Sequence, residues 1–238
     1  MENIRCHTLV QNNPECVVLL HGLCRTYRSM SRLEKALFRA GYDVVNVDYP
    51  SRHHPIARLA KGIYEALLER VDPNGYACLH FVTHSMGGII VRHILGHHLP
   101  KNLGRVVMIS PPNQGSELVD RLKHLTLYRL VNGPAGLELG TGKNDLPQRL
   151  GPAHFDLGVI TGRKSVNLIL STMLPGDNDG KISTRRARLA GMRDFLVVDA
   201  THPFIMKNNR VIHQVLFYLE NGRFEHVTIR SIQSNMTK

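Results

Sequence analysis

The sequence predicts an α/β fold, a doubly wound, mostly parallel sheet with helices on both faces. Two observations carry that expectation. Short β-branched apolar runs alternate along the chain with stretches whose apolar residues recur at i, i+3, i+4 and i+7, as strands feeding amphipathic helices do. The chain also has material for one sizeable core: its 238 residues are 42% hydrophobic and 21% charged, enough to bury roughly 70–75% of the unfolded surface without metals or disulfides. Residues 1–238 are therefore expected to form a single domain.

The elements follow in order. Cys16-Val17-Val18-Leu19-Leu20 reads as a buried strand ending at His21-Gly22. Leu33, Ala36, Leu37 and Ala40 give Ser29 to Ala40 a helical stripe that Gly41 stops, and Tyr42 to Val47 is the next strand, completing a βαβ unit. Ile56, Leu59, Ala60, Ile63, Ala66 and Leu67 predict a helix over Ile56 to Val71, closed by the turn formers Asp72-Pro73-Asn74-Gly75. Cys78 to Thr83 is a strand, Gly87 to Leu99 a helix and Arg105 to Ile109 a strand. From Pro111 to Asp156 the periodicity fades among Gly133-Pro134, Gly136, Gly140, Gly142 and Pro147, while Leu125, Leu127, Leu130, Leu137 and Leu139 stay apolar. That predicts a loop with short helices over a sheet edge. Gly158-Val159-Ile160 and Phe195 to Val198 read as the last two strands, and Val211 to Leu219 as the last helix. There is no internal repeat, low-complexity tract or linker.

Charge bounds the partners. Thirty Lys and Arg against 19 Asp and Glu give +11 with histidine neutral, which favours transient contact with anionic or lipid surfaces in a non-specific way. Lys181, Arg185, Arg186, Arg188 and Arg193 form an acid-free basic stretch without interleaved aromatics, so a solvated basic face is expected and no specific nucleic acid. Cys6, Cys16, Cys24 and Cys78 match no zinc or dithiol spacing; a reduced compartment fits, with Cys16 and Cys78 as small core residues, while one bridge would suit a secreted context. The opening MENIRCHTLVQNNPE lacks the apolar core of a signal peptide, and no run approaches the ~20 residues of a membrane span, so a cytoplasmic protein is expected unless the N-terminus has been trimmed.

The chemistry concentrates at Leu79-His80-Phe81-Val82-Thr83-His84-Ser85-Met86-Gly87-Gly88-Ile89-Ile90-Val91, an apolar strand, a short corner and an apolar helix. Ser85 at the corner would project from a tight bend, with the free N–H groups of the helix N-terminus aimed where an oxyanion would form. Small residues must flank it for strand and helix to approach closely. This stretch resembles the nucleophile elbow G-x-S-x-G of the α/β-hydrolase family, and its lipase and esterase branch in particular. Thr83 stands where the family has its first Gly; His84 before the serine and Met86-Gly87-Gly88 after it are typical of lipase-like members.

The resemblance implies an α/β-hydrolase fold without a large cap domain, its core over about residues 16–220, with a lid or pocket segment over about 117–156. It extends to Asp48-Tyr49-Pro50-Ser51, to Ser110-Pro111-Pro112-Asn113-Gln114-Gly115-Ser116 and to Thr201-His202-Pro203-Phe204-Ile205-Met206. His21-Gly22-Leu23 resembles the corner that supplies an oxyanion-hole donor, which would make the backbone N–H groups of Leu23 and Met86 the pair of donors. A serine nucleophile needs a histidine base, and the histidine a buried acid. In the family these follow in the order serine, acid, histidine. His202, on the loop after the last strand, is then the histidine, with His213 and His226 as surface or packing residues. Asp179, in Asn178-Asp179-Gly180-Lys181-Ile182, resembles the acid-loop residue; Asp177 and Asp199 are alternatives.

The activity implied is carboxylic ester hydrolysis through an acyl-enzyme on Ser85, on a small-molecule ester or lipid. An acyltransferase or thioesterase with the same triad, or a catalytically silent binding protein on the same fold, are the rival readings. The apolar residues between Leu118 and Leu139 would line an acyl pocket, form a mobile lid or simply cover the sheet. No cofactor is implied. His53-His54 and His97-His98 point their rings apart in a strand or helix and make poor metal ligands, and no phosphate-loop or dinucleotide motif occurs. The oligomeric state is left open.

Overall fold

The computed structural model describes residues 4–72, 75–165, 174 and 176–226. Its strands are β1 (Arg5–Leu9), β2 (Glu15–Leu20), β3 (Asp43–Asp48), β4 (Cys78–His84), β5 (Leu103–Ile109), β6 (Leu157–Gly162) and β7 (Asp194–Val198). They form one seven-stranded sheet in the order β1-β3-β2-β4-β5-β6-β7. β1 runs antiparallel to β3, and every other pairing is parallel. The helices are α1 (Ser31–Arg39), α2 (Ile56–Arg70), α3 (Met86–His97), α4 (Glu117–Leu122), α5 (Thr126–Leu137), α6 (Leu146–Arg149), α7 (Thr184–Ala187) and α8 (Asn209–Asn221).

The period of two along each strand divides the core into two layers. Cys16, Val18 and Leu20 of β2 pack with Ile63 of α2 and Ile90 of α3 on one face; Val17 and Leu19 pack with Leu33 of α1 and Val215 of α8 on the other. All five strand residues are fully buried, which is why β2 reads as a continuous apolar run; each such side chain contributes about 1.5–3 kcal/mol. From β2 the chain first steps outward to β3 and then returns to place β4 on the opposite side of β2. Strand order therefore reverses between β2 and β4, and a crevice opens beyond their carboxyl ends, where sheets of this kind bind ligands.

Several details depart from the sequence reading. β1 was not predicted, because Arg5-Cys6-His7-Thr8-Leu9 carries no apolar run; as an edge strand it is only partly covered, pairing Arg5 with Asp48 through to Leu9 with Val44. The helix expected from Ser29 begins as a 3-10 turn over Tyr27–Met30 and becomes α-helical at Ser31. Of the turn closing α2, Asp72 has left-handed backbone (φ 45°); Pro73 and Asn74 lie outside the described residues, as does Pro175 before the acid loop. The Pro111 to Asp156 stretch does form short helices, α4 to α6, with α5 broken at Gly133-Pro134. It lies over the carboxyl end of the central strands, around Ser85, and not along a lateral edge.

The basic stretch is not a continuous solvated face. Arg186 pairs with Glu117 at 2.7 Å, Arg193 with Asp156 at 3.1 Å, and the Arg188 guanidinium lies 3.8 Å over the Phe195 ring. The four cysteines are free thiols, Cys16 buried and Cys78 half-buried. His97 stacks on His93 and His98 on Tyr64, so the adjacent rings diverge. Among the described residues no helix is long and apolar enough to cross a membrane.

Candidate active site

Ser85 sits between β4 and α3 with φ 53° and ψ −122°, a conformation that L residues rarely adopt and that costs on the order of 1–3 kcal/mol. The surroundings hold it there. Its N–H donates to Ile109 O at 2.8 Å, and its carbonyl accepts from Gly88 N at 3.0 Å. The bend works only because α3 starts almost in contact with β2: a Cβ on Gly87 would lie 2.6 Å from Leu20 O and 2.8 Å from His21 O. Thr83, in the place of the family's first glycine, is accommodated from the other side. A Cβ on Gly88 would lie 3.2 Å from Met108 Sδ and Pro111 Cβ and 3.3 Å from Thr83 Oγ1, so glycine here leaves room for the threonine side chain.

His202 and Asp179 meet Ser85 in one hydrogen-bonded chain. His202 Nε2 lies 3.1 Å from Ser85 Oγ, and His202 Nδ1 lies 2.8 Å from Asp179 Oδ2. The other carboxylate oxygen, Oδ1, accepts from the N–H groups of Lys181 (3.0 Å) and Ile182 (2.9 Å), and Asp179 O accepts from His202 N at 2.9 Å. Asp179 is fully buried. Burial alone would raise its pKa, but the charge and hydrogen bond of His202, the Ile182 N–H and the neighbouring Ser110 hydroxyl outweigh it and hold the carboxyl below its ordinary value. The two alternative acids stand elsewhere: Asp177 is exposed, and Asp199 is exposed and paired with Arg163 at 2.5 Å. His213 and His226 are exposed and paired with Glu225 and Asp194.

Leu23 and Met86 flank the same point. Met86 is the first residue of α3, so its N–H belongs to the turn that a helix leaves without internal partners. Leu23 follows Gly22, where a Cβ would lie 3.1 Å from Ser85 Cβ, which brings this loop directly against the serine. His21 fixes the loop from beneath. It is fully buried, stacks on Tyr49 with ring centres 4.0 Å apart, and its carbonyl accepts a hydrogen bond from the Tyr49 hydroxyl.

Three further contributors are hard to see in sequence. His84, buried behind Ser85, has Nε2 3.2 Å from His202 O and braces the His202 loop; burial, then the nearby His202, Arg25 and Lys181, push its pKa well below the ordinary histidine value. Arg92 of α3 is buried without a carboxylate and donates to Asn113 O (2.9 Å), Pro147 O (2.9 Å) and Gly151 O (2.7 Å). It ties both ends of the α4–α6 segment to the helix that follows Ser85. A lone arginine inside an apolar helix is the signal that could have marked it. Arg25 and Lys181, the third contribution, are exposed and line the same cavity as Ser85 and His202.

Ser85 and His202 open into a cavity of about 270 Å³ whose apolar wall includes Leu118, Val119, Leu122, Tyr128, Leu139 and Ile182. A hydroxyl, an imidazole and a buried carboxylate in this relay, beside the N-terminal turn of α3 and an apolar recess, can activate an oxygen nucleophile against an acyl group.

The sequence matches the model of the alpha/beta hydrolase family over residues 17–216, and the chain belongs to that family. Comparison with curated proteins gives no match. Among solved structures, it is similar to the mature lipase of Bacillus licheniformis, with a TM-score of 0.68 at 21% identity over 91% of this chain and 98% of that one. It is also similar to a thermophilic esterase from Thermogutta terrifontis, with a TM-score of 0.61 at 14% identity over 92% and 93% of the two chains. A bromoperoxidase from Bacillus anthracis aligns with a TM-score of 0.61 at 15% identity over 91% and 95%. At these identities the likeness is one of fold, and since those proteins are named for different activities the reaction is to be argued from the residues.

Proposed function

We propose that the protein is a serine hydrolase that cleaves carboxylic esters through an acyl-enzyme on Ser85. The observation that supports this reading best is the unbroken relay from Ser85 Oγ through His202 to the buried Asp179 at the floor of an apolar cavity. Ser85 Oγ attacks the ester carbonyl carbon while His202 Nε2 takes its proton. The developing oxyanion accepts from the N–H groups of Leu23 and Met86, each worth roughly 3 kcal/mol of barrier. Asp179 holds the imidazole in the tautomer with the proton on Nδ1 and stabilises the imidazolium. As the C–O bond breaks, His202 gives its proton to the departing alcohol oxygen. Water then attacks the acyl-serine, His202 takes a proton from it, and collapse releases the carboxylic acid and restores the Ser85 hydroxyl. The α4–α6 segment supplies the wall against which the acyl chain lies.

The test is intact-protein mass after exposure to a fluorophosphonate, followed by turnover of p-nitrophenyl esters of increasing chain length. A single adduct on the wild type that is absent from Ser85→Ala, together with ester turnover lost in the same variant, is the expected result. A folded wild type that takes no adduct and turns over no ester of any length overturns the proposal.

A further inference from the structure

The apolar cavity has a cationic mouth. Arg25 and Lys181, both exposed, line the same recess as Ser85 and His202, and their backbones are anchored. Arg25 N donates to Gly22 O at 3.3 Å; Lys181 N donates to Asp179 Oδ1 at 3.0 Å, and Lys181 O accepts from Ser116 Oγ at 2.9 Å. Their charged ends have no ion-pair partner among the described residues. The carboxylate that acts on Lys181, that of Asp179, is buried and already bound to His202. The acids of α4 face other groups: Glu117 holds Arg186, and Asp120 holds the Thr141 N–H and hydroxyl and pairs with Lys123. Two like charges thus line one recess without an ion-pair partner among the described residues: Arg25 disfavours the charged form of Lys181, which Cys24 and Asp179 favour, and both cations disfavour a charged His84. A ligand bearing negative charge would relieve this, whereas a neutral ester would have to bind despite it.

We infer that the substrate is an acyl ester whose alcohol portion carries a phosphate group, held by Arg25 and Lys181 while the single acyl chain lies along the α4–α5 wall. The choice of phosphate follows from charge matching: a phosphate monoester carries about −1.5 to −2 near neutral pH, which suits two cations, and a carboxylate would leave one unmatched. The volume, about 270 Å³, lies at or just below the low end of small-molecule pockets (roughly 300–1,000 Å³), which suits one chain. The charge is placed on the alcohol side because Lys181, two residues after Asp179, lines the recess together with His202, the group that protonates the leaving oxygen.

This inference rests on the hydrolase reading, and the experiment separates the two. Binding of octyl phosphate, octanol and inorganic phosphate to Ser85→Ala is measured by calorimetry, with and without Arg25→Gln and Lys181→Gln. In parallel, wild type and the two charge variants are assayed on 1-octanoylglycerol and on 1-octanoylglycerol 3-phosphate. The expected result is octyl phosphate binding at least tenfold tighter than either octanol or inorganic phosphate. That preference falls about tenfold in each charge variant, and the ratio of kcat/KM for the phosphorylated over the neutral ester falls with it. Equal binding of octyl phosphate and octanol, or a ratio that neither substitution moves, overturns the inference, even if both esters are hydrolysed and the hydrolase reading stands. Inorganic phosphate binding as tightly as octyl phosphate overturns it as well, since the site would then be one for free anion. If the phosphate preference is present but neither ester turns over, the anion site stands and the hydrolase reading is what fails.

Discussion

Asp179 lies in an Asn-Asp-Gly turn, a sequence that proteins use chiefly to reverse the chain. Here the turn chemistry does a second job. Gly180, at φ 97°, lets the backbone fold back so that Asn178 Oδ1 accepts from Gly180 N and one Asp179 oxygen accepts from the next two N–H groups. That leaves Oδ2 free to face His202 with its direction fixed. Asp179→Asn keeps the shape and removes the charge, so it is expected to lower kcat/KM by roughly 10³–10⁴-fold. Asp177→Asn, at an exposed side chain, is expected to change it less than about twofold; steady-state kinetics on one ester checks both, and equal losses would reassign the acid. The serine and histidine of the relay were legible because each stands in a fixed relation to a strand end. For the acid, the sequence favoured Asp179 through its resemblance to the acid loop, with Asp177 and Asp199 as alternatives; burial and direction, which separate them in the fold, are not carried by sequence. Thr83 shows the same limit. Its side chain finds room against Gly88, five residues on, across an interface that exists only in the fold.

At the scale of elements, β2 was readable because both faces are covered and its apolar run is unbroken, and β4 and α3 because a mainly apolar strand and helix bracket the Ser85 corner. β1 was not, because an edge strand with a half-covered face needs no such run. The α4–α6 segment was readable as a loop with short helices but not in its place, which Arg92 helps to set from outside. That guanidinium gathers the carbonyls of Asn113, Pro147 and Gly151, residues as much as 59 positions away. Burial lowers the Arg92 pKa to about 10, so it stays charged at neutral pH and makes strong hydrogen bonds. Arg92→Met would fill much of the same space and leave those carbonyls without donors. The expected loss is about 2–3 kcal/mol, which for a chain of this length lowers Tm by roughly 4–12 °C. KM is expected to rise more than kcat falls, because the acyl wall shifts while the Ser85 relay stays on its own strands. A thermal melt and one set of initial rates decide it; an unchanged Tm would mean the segment holds its place without Arg92.

The molecule as a whole carries +11 and fourteen histidines, so acid adds charge to a surface that already repels itself. Against that background, buried histidines make a separate and assignable contribution. His84 and His80 have pKa values lowered from 6.5, chiefly by burial, so between the folded value and 6.5 the unfolded chain binds protons that the folded chain does not. Stability therefore rises with pH through that window: it is fully present above about pH 6.5 and is lost as pH falls below it, by at most about 1.4 kcal/mol per pH unit for each group. Asp179 acts in a lower range, since its depressed pKa adds stability above about 3.8 that disappears only in stronger acid. A comparison between pH 8 and pH 5 thus reports the histidines and not the carboxylate. His84→Gln keeps a donor for His202 O but cannot titrate. Wild type is expected to lose stability relative to this variant on going from pH 8 to pH 5, by up to roughly 2 kcal/mol, read by urea unfolding at fixed ionic strength. The general repulsion of a +11 surface is common to both proteins and cancels in the difference. Parallel curves would mean that His84 takes up a proton in the folded state, and the brace it provides behind Ser85 would then be a charged one.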